Sequence, residues 1–256
     1  MHAGSSKTAL SRTRGQLERE LSSFADAQRA ANLAWFFKTG KGQYGEGDQF
    51  LGIRVPLLRR IALRYRALAL KDLERLLASR IHEHRLAALE ILVAQYEAAD
   101  EARRERIFGW YLDHTSRINN WDLVDTSAPY IVGEHLKIRR RDVLDQLARS
   151  DLLWERRIAI VSTLTLIKSG EITDTFRIAE KLLSDKHDLI HKAVGWALRE
   201  TGEVFQPALV EFLAKHYHSI PRTALRYAIE HFSPEQRKQI LAGNFRKERS
   251  GSYILK

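Results

Sequence analysis

The chain of 256 residues is 44% hydrophobic and 29% charged, the balance of an ordinary soluble globular protein long enough for one large or two ordinary domains. It contains no cysteine, which excludes disulfides, thiol nucleophiles, thiolate-held iron–sulfur clusters and Cys-ligated zinc. The 42 Lys and Arg against 32 Asp and Glu leave a net charge of +10 and a pI near 9.9, an excess that favours a polyanionic partner, nucleic acid ahead of an anionic membrane.

Met1 to Arg14 is polar and lacks an apolar signal region, and no apolar run has the length of a membrane span, so a cytoplasmic protein is expected. Residues 1–15 read as a disordered basic lead. A helix is predicted from Gln16 to about Phe37, with Leu17, Leu21, Phe24 and Ala27 ahead of the aromatic cluster Trp35, Phe36, Phe37. A glycine-rich loop follows from Thr39 to Asp48. Its Gly40, Gly42 and Gly45 match GxGxxG in form only, because a dinucleotide site needs a strand before the motif and an apolar helix after it.

Beyond Phe50-Leu51-Gly52-Ile53-Arg54-Val55-Pro56 the pattern turns helical and stays so. Pro56 suits a helix start, and Leu57, Leu58, Ile61 and Leu63 supply the apolar face of that helix. Further helices are predicted at Lys71–Ala78, Glu83–Ala98, Glu101–His114, Trp121–Leu136, Arg141–Ala148, Leu152–Ser169, Thr173–Leu183, Asp188–Thr201, Pro207–Tyr217, Pro221–Phe232 and Pro234–Leu241. No stretch alternates with period two, so the expected class is all-α. A domain is expected over 16–243, with a basic tail over 244–256.

Within that series the stretch Asn119-Asn120-Trp121-Asp122-Leu123-Val124-Asp125 is singled out by chemistry. Helical spacing stacks Trp121 and Asp125 on one face, Asn119 or Asn120 suits the N-cap, and Asp122 suits the positive end of the helix dipole. His187 and His191 have the spacing of a metal pair, but Asp188 replaces the glutamate of HExxH and no third ligand lies nearby, so no metal and no cofactor is expected.

The helices also repeat. A basic residue opens the apolar helices at Arg85, Arg157, Lys192 and Arg222; the first interval, 72, is twice 36, and its midpoint is Trp121. Steps of 36, 36, 35 and 30 with two helices per repeat are the mark of an α-solenoid of the HEAT, armadillo or TPR kind. If equivalent helices line one concave face, the four basic residues form a track suited to a phosphate backbone, with Trp121 and Asp125 in its middle. An acid inside such a track opposes binding. It is explained by chemistry, or by an ion pair with Arg157 or Arg199.

Four motifs in order, Phe50 to Pro56, Trp121-Asp122-Leu123-Val124-Asp125, Trp154-Glu155-Arg156-Arg157 and Lys192-Ala193-Val194-Gly195-Trp196-Ala197-Leu198-Arg199-Glu200, resemble the HEAT-like-repeat DNA alkylation-repair glycosylases of the AlkD type over about residues 24–232. The resemblance implies a monomeric, right-handed α-solenoid that cradles double-stranded DNA on a concave face and excises cationic N3- or N7-alkylated purines. It places a catalytic carboxylate on Asp125, sugar-contacting indoles on Trp121 and Trp196, and DNA contacts on Arg157 and Arg199; Arg54 and the track residues Arg85, Lys192 and Arg222 complete the expected DNA-binding set. It implies no obligate protein partner and no membrane, and in a bacterium a place at the nucleoid. Two features depart from the family pattern: the glycine-rich loop, and Phe36 in place of a tyrosine. The other class left open is a non-enzymatic repeat protein that binds damaged or branched DNA.

Overall fold

The computed structural model describes residues 12–248 and 251–255, so most of the expected N-terminal lead lies outside the described residues. The described chain is mostly helical, as expected, and divides into two compact units, the first ending at Arg103 and the second beginning at Arg104.

The first unit contains α1 (Arg14–Ser22), α2 (Ala27–Phe36), α3 (Val55–Leu63), α4 (Leu70–Leu77) and α5 (His82–Glu97). The single helix expected over Gln16–Phe37 is two, because Asp26 is an N-cap: its carboxylate accepts from the Arg29 N–H at 2.9 Å, and its own N–H is spent on Leu51 O. A capping box between Thr13 and Gln16 starts α1 two residues before the expected position. Helix α5 is the centre of this unit, packed by α3 and α4; its Leu89, Ile91 and Leu92 are fully buried, as are Leu58 and Ile61 of α3 and Leu73 and Leu76 of α4.

The motif from Phe50 to Pro56 is held by that central helix. Glu83, in the first turn of α5 and 3% exposed, accepts from the N–H groups of Leu51, Gly52 and Ile53 at 2.9, 2.7 and 3.2 Å. Three successive donors converge on one carboxylate only because Gly52 takes φ of +83° and lies against the backbone of Asp26 and Ala30, where no Cβ fits. The glycine-rich loop is closed the same way: Asp48 pairs with Arg85, and Gln49 bridges to Ile81. Burial pushes the Asp48 carboxyl up, but hydrogen bonds from His82 and Arg85 outweigh it and hold the group below the usual carboxylate range.

The second unit contains α7 (Trp121–Asp125), a π turn at Pro129–Gly133 leading into α8 (Glu134–Leu136), α9 (Asp142–Ala148), α10 (Leu153–Lys168), α11 (Thr173–Leu182), α12 (Asp188–Lys215), α13 (Arg222–Ala228) and α14 (Pro234–Leu241). It also holds most of α6 (Glu101–Asp113), whose Ile107 and Tyr111 are fully buried. Helix α10 is its core, packed by α7, α9, α11, α12 and the π turn. The helix expected over Trp121–Leu136 is interrupted because Pro129 has no N–H to return to the carbonyl of Asp125, so α7 ends there. Gly133 then presses on Ser162 and Thr165 of α10, and the Pro129 carbonyl accepts from the Thr165 hydroxyl at 2.6 Å as well as from the Glu134 N–H. Helix α12 is broken at Phe205, with φ −151° and ψ 84°, two residues before Pro207, which divides it as the pattern predicts.

The basic tail is not plain coil. Phe245–Lys247 (β1) pairs antiparallel with Tyr253–Leu255 (β2), and Tyr217 packs edge-on against Phe245. Strands of three residues are too short for a period of two to show in the sequence.

Candidate active site

Helix α7 is a five-residue support for two candidate side chains. Asn120, fully buried, accepts from the Trp121 N–H at 2.8 Å and starts the helix; Leu123 and Val124 bury completely and fix it to the core. That leaves Trp121 and Asp125 on the other face, both half-buried. Asp122 accepts from the Leu123 N–H at 2.8 Å in the first turn, the role its position suggested.

Asp125 is fixed by a two-pronged pair. Arg157 Nε donates to Oδ1 at 2.8 Å and Nη2 to Oδ2 at 2.7 Å, while Nη1 donates to the Leu189 carbonyl at 2.6 Å. One guanidinium on α10 thus ties the end of α7 to the start of α12. The Arg157 side chain is 6% exposed and that of Asp125 18%, so the carboxylate keeps an open edge whereas the guanidinium does not. Burial raises the Asp125 carboxyl above its ordinary value, Arg157 pulls it down by hydrogen bonding and charge, Asp122 adds to the rise, and the net direction is upward.

Trp196 stands on α12 two turns beyond Leu189, roughly 10 Å along the helix axis at 1.5 Å per residue. Its indole N–H donates to Glu200 at 3.1 Å, and Arg199 pairs with both Glu200 and Glu230. Gly195 lets α13 approach: a Cβ there would meet Tyr227 Cβ at 2.5 Å and Ala224 O at 2.6 Å. Glu200 therefore orients both an expected indole and an expected arginine. The i, i+4 spacing of Trp196 and Glu200 was the signal that could have found it.

The expected basic track divides. Arg157 is spent on Asp125, and Arg85, 5% exposed, is turned inward to Asp48 and the Ser79 carbonyl; both guanidiniums are taken up inside the fold, because spacing along the sequence does not fix the direction a side chain turns. Lys192 is partly exposed and pairs with Asp188 at 2.8 Å. Arg54 and Arg222 are exposed and have no carboxylate partner among the described residues; Arg222 donates at 3.4 Å to the Leu241 carbonyl. Among the described residues no group of His, Asp and Glu is arranged to hold a metal: His187 accepts from the Leu189 N–H, and His191 bonds the Asp185 carbonyl. No helix is long and apolar enough to cross a membrane in the same residues.

Residues 17–232 match the family described as DNA alkylation repair enzyme. No curated protein sequence matches the chain. A solved structure described as a predicted DNA alkylation repair enzyme from Enterococcus faecalis is similar over 82% of this chain and 97% of its own, with a TM-score of 0.64 and 14% identity, a likeness of fold.

Proposed function

The chain belongs to the DNA alkylation repair enzyme family, and from that premise we propose that it is a glycosylase excising cationic N3- and N7-alkylated purines from duplex DNA. A role in the repair of alkylated DNA goes with the family; the finer reading rests on the Asp125 carboxylate, held by Arg157 with one edge open.

The chemistry asks little of the protein. A purine alkylated at N3 or N7 carries positive charge, so when the C1′–N bond breaks its electron pair neutralises the base, and no acid is needed to protonate the leaving group. The developing charge is on the sugar, and water adds to C1′ and gives up a proton. Most glycosidases need two carboxyl groups for such a transition state; here one carboxylate, preorganised by Arg157, stabilises the oxocarbenium ion electrostatically. The indoles of Trp121 and Trp196 add cation–π attraction of about 0.5–2 kcal/mol each where they reach the same charge.

The raised Asp125 carboxyl sets the pH dependence. Only the ionised form stabilises the sugar cation, so excision falls as pH falls through the folded-state value and is level above it. Because that value lies above the ordinary 3.8, the acid limb lies above it too. Single-turnover rates against pH, read as abasic sites in a duplex carrying N7-methylguanine, test this; a limb at or below the ordinary carboxylate value contradicts the assignment.

A further inference from the structure

Helices α13 and α14 enclose an open groove of about 660 Å³ in the second unit, far from any acid–base chemistry of its own. Its rim carries Arg226, Arg237 and Lys238 and its floor is Ile229, Pro234 and Leu241. The three cations are exposed, and none has a carboxylate partner among the described residues. By contrast, Arg141, Arg156, Arg157, Arg177 and Arg199 of the same unit are each held by an aspartate or glutamate. The acid nearest in sequence to the rim on α13, Glu230, is taken by Arg199. Arg222, one turn before Arg226, lies against the end of α14, and the hairpin that follows adds the exposed Arg246 and Lys247.

We propose that this groove is a second nucleic-acid contact, which seats the phosphodiester backbone of a duplex flanking the lesion. Three like charges gathered round one cleft repel each other, and a row of phosphates relieves that repulsion and releases counterions. The apolar floor suits the deoxyribose face that the same strand presents between its phosphates. Helix α13 packs on α12, α12 on α10 and α10 on α7, so at 8–10 Å per packed pair the groove lies within about 30 Å of the helix carrying Asp125. That distance corresponds to about nine base pairs of B-form DNA at 3.4 Å each. A duplex held at Asp125 reaches the groove within that length, and the assignment of the groove to its flanking arm rests on the reading of duplex DNA as partner.

The test is the salt dependence of binding to an undamaged duplex by the full chain. Combined Arg226→Ala, Arg237→Ala and Lys238→Ala should weaken binding of all sequences alike and flatten the plot of log K against log salt by about 0.9 per phosphate lost, roughly 2 to 3 in all. Arg237→Glu alone should act in the same direction. All three side chains are exposed, so thermal unfolding stays at the wild-type temperature, and excision at saturating protein changes by no more than about twofold because phosphate contacts position without reacting. An unchanged slope in both variants overturns the proposal, even in a protein that excises alkylated bases. A flattened slope in a protein that releases none upholds the groove and removes the glycosylase reading.

Discussion

Asp125→Asn removes excision while duplex binding stays equal or becomes tighter. The loss of one preorganised charge at the reacting centre is expected to slow single-turnover release by about 10²–10³-fold. Binding moves the other way because a negative charge leaves a strongly basic protein. The substitution also strips Arg157 of its counter-charge, and breaking a buried ion pair costs about 3–5 kcal/mol when one partner is truncated. Asn retains a carbonyl acceptor in reach of the guanidinium, and the open edge of the site relieves part of that penalty, so the protein remains folded but less stable. Thermal unfolding measured on the same preparation separates the two effects. Cleavage at the wild-type rate in a folded Asp125→Asn protein would remove the carboxylate from the mechanism.

The largest stability effect is expected at a distance from the chemistry, at Glu83. Its carboxylate satisfies three backbone N–H groups, and Gly52 and Ile53 are buried. Truncation to Ala leaves those donors with no acceptor, at about 1–3 kcal/mol each, so roughly 3–9 kcal/mol in total. That is a large share of the roughly 5–15 kcal/mol that holds a typical domain folded. Glu83→Gln keeps one carbonyl acceptor and should cost less. Because the chain has two compact units, amide exchange of α3 and α5 is a better readout than a single melting temperature. Exchange in Glu83→Ala within about 1 kcal/mol of wild type would show that the loop finds another acceptor.

These two residues mark what the sequence makes legible and what it hides. Asp125 and Trp121 are readable because everything that places them is local: a capping asparagine, two apolar anchors and helical spacing inside seven residues. The helical class is readable for the same reason. The pairing of Asp125 with Arg157 spans 32 positions and was visible only as one of two alternatives, Arg157 or Arg199, because sequence spacing does not say which arginine turns inward. Arg85 shows the same blind spot: it occupies a basic repeat position, yet Asp48, 37 residues earlier, turns it into the core. Glu83 gave no local signal, since its three donors lie about 30 residues upstream. The missed breaks were local and could have been read. Asp26 is a cap residue inside an apolar pattern, and Pro129 withholds the N–H that α7 needs to continue.

The mechanism stands or falls on the charge of the leaving base. One carboxylate aimed at the sugar, with no acid to protonate the base, can expel only a base that is already cationic. The direct measurement is single-turnover release from otherwise identical duplexes carrying N7-methylguanine or hypoxanthine, scored as abasic sites. The account predicts release of N7-methylguanine, with bulkier N7 adducts tolerated, and no measurable release of hypoxanthine. Release of the neutral base at a comparable rate would require a general acid and would contradict the assignment of Asp125 as the group that does the work alone.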